Sequence, residues 1–240
     1  EVLYFHKVND PYSHLTIQYI DKFKSSFDVI FKPVLVGEED PEAVHEPSLY
    51  NTYCLEDVKK IAPFYGVEFS ADLYPSKESV VKANSILTSV DDASFGEIAK
   101  SVSLALWEGD EEELNNLCLQ YQSTDSEVQN KLHIGNEIRN DKGYYFGSAF
   151  YYEKELYWGL DRLHYLEDRL TDLGLRNNSN NESVCQLELK APAKLTSAKK
   201  VNLYFYPSLN SPYTFVSAKR VRELQDEYPI NLITQPVLPM

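Results

Sequence analysis

The sequence predicts an α/β fold: a parallel β-helix-β unit, an inserted all-helical block, then a hairpin and a closing helix. Three observations carry this. The opening segment is written a second time near the end of the chain. Helix signals dominate the middle. Alternating aromatics and a leucine stripe then restore strand and helix. The first copy runs from Leu3-Tyr4-Phe5 through Asp10-Pro11-Tyr12-Ser13 to Lys32-Pro33-Val34-Leu35. The second runs from Leu203-Tyr204-Phe205 through Ser211-Pro212-Tyr213-Thr214 to Gln235-Pro236-Val237-Leu238. Such self-similarity marks a repeat architecture. The second copy stops at Met240 as its second strand ends, so the chain reads as a piece of a tandem protein.

The elements follow in order. Val2 to Val8 reads as a buried strand. Asp10 before Pro11 is a helix start, a capping carboxylate followed by proline at the first helical position. Leu15, Tyr19, Ile20 and Phe23 give that helix its apolar stripe. Val29 to Phe31 is a second strand, closed by Pro33. An acidic loop is expected over 38–47. Helices are expected over Leu55 to Tyr65, ended by Gly66, and from Ser76 to about Leu87. Ser94-Phe95-Gly96-Glu97 and Thr124-Asp125-Ser126-Glu127 each read as a capping box. Behind the first, Phe95, Ile98, Ala99, Val102 and Leu106 share a face. Asp110 with Glu111, Glu112 and Glu113 places negative charge on a first turn, where the helix dipole favours it. Phe150 to Trp158 alternates like a hairpin that turns at Glu153-Lys154-Glu155. The last helix carries Leu163, Leu166, Leu170 and Leu173 and stops at Gly174. The division expected is a domain over 1–175 with its helical insertion at about 50–140, a polar linker over 176–198, and the start of a second repeat over 199–240. The linker includes one short strand near Cys185 to Leu189.

Charge narrows the partners. The formal charge is −14 over 240 residues, which argues against nucleic acid and against anionic membrane surfaces. From Lys199 to Met240 five Lys or Arg face three Asp or Glu, a balance of +2, which leaves −16 on the rest. The two copies therefore differ in surface character and are expected to attract one another. Cys54, Cys118 and Cys185 are odd in number and form no C-x-x-C pair, so a disulfide scaffold is not expected and a reducing, cytoplasmic setting is. No apolar run is long enough to span a bilayer. The five histidines lack ligand spacing on any one face, so no metal site is expected. The tyrosine excess reads as a sheet with packed faces, an aromatic ligand pocket being the alternative.

β-α-β, helical insertion, hairpin and helix, in that order, resembles the thioredoxin-like fold of the DsbA type. Ser211-Pro212-Tyr213-Thr214 resembles the S-P-Y-S turn of the 2-hydroxychromene-2-carboxylate isomerases and kappa-class glutathione transferases. Trp158-Gly159-Leu160-Asp161-Arg162-Leu163 resembles their W-G-x-D-R-L signature. The resemblance covers 1–175 as a whole domain and 199–240 as the start of another. It implies a glutathione-dependent isomerase or transferase, with glutathione or a small molecule as ligand. In that family the first helix aims its N-terminal amides at a thiol, and a serine there stabilises the glutathione thiolate.

Mapped onto this chain, Ser211 of the second repeat has the family's residue type, and Asp10 is its degenerate equivalent in the first. Asp10 reads as an N-cap or as a general base; Ser211 reads as a cap or as the thiolate's partner. The family's cis-proline segment aligns with Phe146-Gly147-Ser148-Ala149-Phe150. Serine replaces the proline, and a cis bond before it would cost ~2.5–4 kcal/mol, so a trans bond is expected. Ser148 and Ala149 would then form a reshaped ligand edge. Asp161 matches the aspartate that receives the γ-glutamyl amine, or else compensates the dipole of the last helix. Two functions stay open: an isomerase or transferase with a degenerate first site, and a non-catalytic binding or dimerisation module, with a homodimer expected. Dithiol oxidoreductase chemistry is not expected, since no cysteine is expected near Asp10.

Overall fold

Five consecutive apolar and aromatic residues suit β1 (Val2–His6) to burial on both faces, and all five are buried. The computed structural model describes residues 1–39, 41–44, 46–67, 69–177, 182–185 and 200–237. It divides into two units, Glu1–Glu188 and Leu189–Met240.

In the first unit the sheet order is β2-β1-β3-β4. β2 (Phe31–Leu35) runs parallel to β1, with Tyr4 opposite Pro33. β3 (Ala149–Tyr152) is antiparallel to β1, and β4 (Glu155–Trp158) is antiparallel to β3. Pro33 thus lies inside the second strand rather than closing it. It is tolerated because β2 is an edge, where a missing N–H leaves no ladder bond unmade. The hairpin turns on Glu153 and Lys154, both at positive φ.

The crossover is two helices, α1 (Pro11–Ile17) and α2 (Ile20–Ser26), not the single helix expected. Between them the Tyr19 N–H reaches the Thr16 carbonyl at 3.0 Å, a three-residue turn that tightens the chain. Between β2 and β3 come α3 (Pro47–Ile61), a 3-10 turn (Ala62–Tyr65), α4 (Lys77–Ser89), α5 (Phe95–Glu108), α6 (Glu111–Gln120) and α7 (Asp125–Asp141). Ser76, Asp110 and Thr124 cap α4, α6 and α7, and the Thr124–Glu127 box is closed on both sides. The Ser94 box does not form. The Ser94 N–H is instead held by the Asp91 carboxylate at 2.8 Å, so that residue ends a turn rather than capping a helix. α3 begins eight residues earlier than Leu55, at Pro47, where the expected acidic loop ends.

Alternation along β1 divides the core in two. Val2 and Tyr4 enter the larger cluster with Leu15, Phe23, Val102, Phe150 and Leu166. Leu3 and Phe5 enter a smaller one with Val34, Val36 and Ala149, covered by Ile138 of α7. α7 reaches that face because position 135 is glycine; any side chain there would strike the Leu35 carbonyl. Phe150 is fully buried, its ring 5.0 Å from that of Tyr4 and 5.7 Å from that of Phe23. Truncating it to alanine would cost roughly 3–5 kcal/mol.

The last helix starts with a 3-10 turn (Leu160–Arg162) and continues as α8 (Leu163–Asp172). Leu163, Leu166 and Leu170 are buried, whereas Leu173 is exposed because the helix ends before it. Val184 and Cys185, expected in a linker, are buried in this unit. The buried Glu167 carboxylate fastens them: it accepts the Val184 N–H at 2.9 Å and pairs with Arg176 at 3.1 Å. The strand expected toward Leu189 lies beyond residue 185, outside the described residues.

The second unit is β5 (Val201–Phe205), α9 (Pro212–Glu227) and β6 (Ile230–Thr234), the strands parallel with Leu203 opposite Leu232. No residue of α9 is buried. Among the described residues no helix is long and apolar enough to cross a membrane.

Candidate functional site

Asp10 supplies what the start of α1 lacks. The first turn of a helix leaves amide N–H groups unpaired, and proline at position 11 removes one of them. The Asp10 backbone is extended, at φ −98° and ψ 118°, and its carboxylate accepts the N–H of Tyr12 at 3.2 Å and of Ser13 at 2.9 Å. It also accepts the Ser13 hydroxyl at 2.7 Å. Burial pushes the Asp10 carboxyl up to about 6, against the Ser13 hydrogen bonds and the nearby Lys7 charge, which pull it down.

Lys7 lies between two carboxylates, 2.7 Å from Glu38 and 2.6 Å from Glu39. Burial works against its charge, but the two glutamates outweigh it and raise the ammonium above its usual range. Arg139, a buried residue of α7, holds the same acidic loop through the Gly37 and Glu38 carbonyls at 3.4 and 3.3 Å. Gly147 closes the other side. A Cβ there would fall 2.8 Å from Lys7 Cβ, 3.0 Å from Ser13 Oγ and 3.1 Å from Asp10 Oδ2. Glycine at 147 is what lets this backbone come so close to Asp10.

The other expected ligand residues fall apart. Ser148 follows a trans peptide bond and has φ +53°, left-handed for a non-glycine residue. Its side chain is fully buried, its hydroxyl 2.7 Å from that of Thr16, and its carbonyl accepts the Gly159 N–H at 2.7 Å. Ala149 is buried in the smaller core cluster. Neither side chain reaches the cleft. Asp161 is exposed, with its carboxylate 3.5 Å from Arg162 Nε.

Two hollows that share lining residues lie beside α1. A narrow one of about 20 Å³ is lined by Lys7, Asp10, Glu39, Cys54, Phe146 and Gly147. A wider one of about 260 Å³ is lined by Tyr12, Tyr50, Tyr53, Asp57, Tyr65, Trp158 and Asp161. Tyr12, Tyr50 and Trp158 border both. The Tyr12 ring meets Trp158 edge-on at 5.7 Å; Trp158 stacks on Phe146 at 5.5 Å, and Phe146 on Tyr50 at 5.6 Å. Part of the tyrosine excess therefore builds a pocket as well as a sheet.

A cysteine does lie beside Asp10, contrary to expectation: Cys54 of α3 shares the narrow hollow. Burial pushes its thiol up to about 11, so it is not a thiolate near neutral pH. Tyr50, Tyr53 and Cys54 were hidden because α3 was read from Leu55 onward, and without them Asp57 had no companions to mark it. Their spacing puts all four on one helix face, the pattern that would have found them. Asp57 accepts the Tyr12 hydroxyl at 2.8 Å. His6 and His14 are buried away from the hollows, His6 against the Tyr4 hydroxyl at 3.1 Å and His14 against that of Ser103 at 2.9 Å. Among the described residues no group of three or more His, Cys, Asp or Glu is placed to hold a metal.

In the second unit Ser211 stands at the N-cap of α9, at φ −85° and ψ 124°, and its side chain makes no capping bond. Ser211 and Asp10 thus hold the same place in their units, one with its side chain uncommitted and one fully engaged.

No protein-family model matches the chain, and no curated protein does. Solved structures do. A 2-hydroxychromene-2-carboxylate isomerase superposes with a TM-score of 0.55 at 19% identity, over 72% of this chain and 95% of that one. A provisionally assigned protein disulfide isomerase from Nitrosomonas europaea superposes with a TM-score of 0.50 at 12% identity, over 72% of this chain and 97% of that one. The chain therefore has the DsbA-like thioredoxin fold. At such identities the likeness reaches the fold and no further.

Proposed function

We propose that the first unit is a small-molecule binding module on a thioredoxin-type frame, its thiol site closed from within by Asp10. One observation carries this: the Asp10 carboxylate takes the Tyr12 and Ser13 amides that would otherwise receive a thiolate. A thiolate in that place would also meet a carboxylate where the family has a neutral hydroxyl. Cys54 does not supply dithiol chemistry, being a single thiol held protonated near neutral pH. Glutathione is then a poor ligand of this unit. Titration calorimetry of wild type and Asp10→Ser with reduced glutathione tests it. Wild type should give no binding below the millimolar range and the variant a gain. A low-micromolar dissociation constant for wild type would overturn the reading.

Ser211 favours a second reading, for the protein as a whole. Its uncommitted hydroxyl at the start of α9 suits a serine that donates to a glutathione thiolate. On this reading the protein is a glutathione-dependent isomerase or kappa-class transferase of the cytoplasm. Its second repeat carries the chemistry, the helical insertion belongs to the degenerate first one, and the protein works as a homodimer. Ser211→Ala should then abolish glutathione-dependent turnover of an aromatic substrate, while Asp10→Ala leaves it. Undiminished turnover in the Ser211 variant would remove this reading.

A further inference from the structure

We propose that the aromatic hollow beside α1 recognises a small organic cation, an arylalkylammonium held between ring faces and the Asp57 carboxylate. This deepens the binding-module reading and rests on it.

The lining selects for charge of one sign. Tyr12, Tyr50, Tyr53, Tyr65 and Trp158 line it with aromatic rings, and Asp57 and Asp161 are its two charged groups. No Lys, Arg or His is among the described residues of that lining. Aromatic faces carry negative potential and attract cations, most strongly where water is excluded. The two carboxylates act in the same direction. Anionic ligands, glutathione included, meet both effects as repulsion, and the −14 charge of the chain adds to it.

Asp57 is the fitter of the two acids. Arg162 stands 3.5 Å from the Asp161 carboxylate and meets part of its charge. Asp57 has no Lys or Arg within ion-pair distance among the described residues, and its recorded bond is from the Tyr12 hydroxyl to Oδ2. That bond orients the carboxylate and leaves Oδ1 for a ligand N–H. Tyr12 is itself fixed, following Pro11 in the first turn of α1, so the receptor is preorganised at both ends. Pockets for drug-sized molecules hold roughly 300–1,000 Å³. A hollow of about 260 Å³ takes something smaller, a single ring with an ammonium arm.

The test compares phenethylammonium with 2-phenylethanol, a neutral molecule of nearly the same shape, by titration calorimetry on the full chain. Phenethylammonium should bind at least tenfold more tightly than the alcohol. Asp57→Asn, which keeps an acceptor for the Tyr12 hydroxyl, should erase that preference without changing the melting curve. Trp158→Leu removes a ring face at the half-exposed mouth and should weaken the ammonium more than the alcohol. Equal affinity for the two probes overturns the cation proposal and leaves the binding module standing. No heat from phenethylammonium, or a preference that survives Asp57→Asn, also overturns it. Tight glutathione binding would instead strike the closed thiol site, which is the other reading.

Discussion

At Asp10 one carboxylate does two things, and pH separates them. It caps α1 and it lies in a narrow cleft that raises it to about 6. A carboxyl raised in the folded state keeps its proton there while the unfolded chain has lost it. Its contribution therefore declines as pH rises from about 4 to about 6. His6 and His14 act the opposite way. Burial lowers them to about 3 and about 4, so the unfolded chain binds their protons first and stability is lost as pH falls below about 6.5. In wild type the two tendencies partly cancel. Asp10→Ser keeps a capping oxygen and removes the titration. The variant should then lose stability more steeply than wild type between pH 6.5 and 4, by up to about 1.4 kcal/mol per pH unit. Parallel denaturant midpoints across that range would show that Asp10 titrates normally. Ser148 gives a second prediction. Its φ of +53° lies far from the −65° that proline requires. Ser148→Pro should lower stability by about 1 kcal/mol or more in denaturant melts rather than rebuild a ligand edge. The cap at Asp10 and the trans bond before Ser148 were legible in the sequence. The left-handed backbone of Ser148 was not, because the Thr16 hydroxyl that holds it lies 132 residues away.

Among the elements, legibility followed local signals. Ser76, Asp110 and Thr124 announce their helices by side-chain caps that do form. α3 carries no such mark: Glu46 precedes it without a capping bond and Pro47 opens it. Its first two turns were left out of the helix expected from Leu55, and with them went Tyr50, Tyr53 and Cys54. Pro33 misled in the other direction, since whether proline ends a strand depends on where that strand lies in the sheet. The end of the first unit was hidden for a related reason. Glu167 looks like one more surface charge on α8, yet it is buried against Arg176, Ser183 and the Val184 amide. Removing it takes the carboxylate partner from Arg176 and leaves the buried Val184 N–H without its acceptor. Glu167→Ala should destabilise the unit by roughly 3–5 kcal/mol, as expected for one half of a buried pair. Hydrogen exchange should show 182–185 losing protection along with α8. A change below about 1 kcal/mol would mean that this fastening is ornamental.

Over the whole molecule the two units differ in kind. The first has a four-stranded sheet with a packed cluster on each face. The second has two strands and one helix, and it shows Leu209, Tyr213, Phe215 and Val216 at 78–85% exposure. A two-stranded sheet with an unburied helix cannot offset its own ordering entropy. Residues 200–240 made alone should therefore give the circular dichroism of an unfolded chain. Residues 1–188 should unfold in one cooperative step, close to the first transition of the full chain. The +2 of the second segment against −16 elsewhere, with its bare apolar side chains, supports the proposal that association runs through the second unit. Light scattering decides where the contact lies. The full chain should be dimeric, and increasingly monomeric as salt screens the charges, while 1–188 should be monomeric throughout. A dimer of 1–188 would assign the interface to the first unit instead. Salt would then strengthen it, because two copies of a unit at −18 repel each other and screening relieves that repulsion while the apolar contact remains.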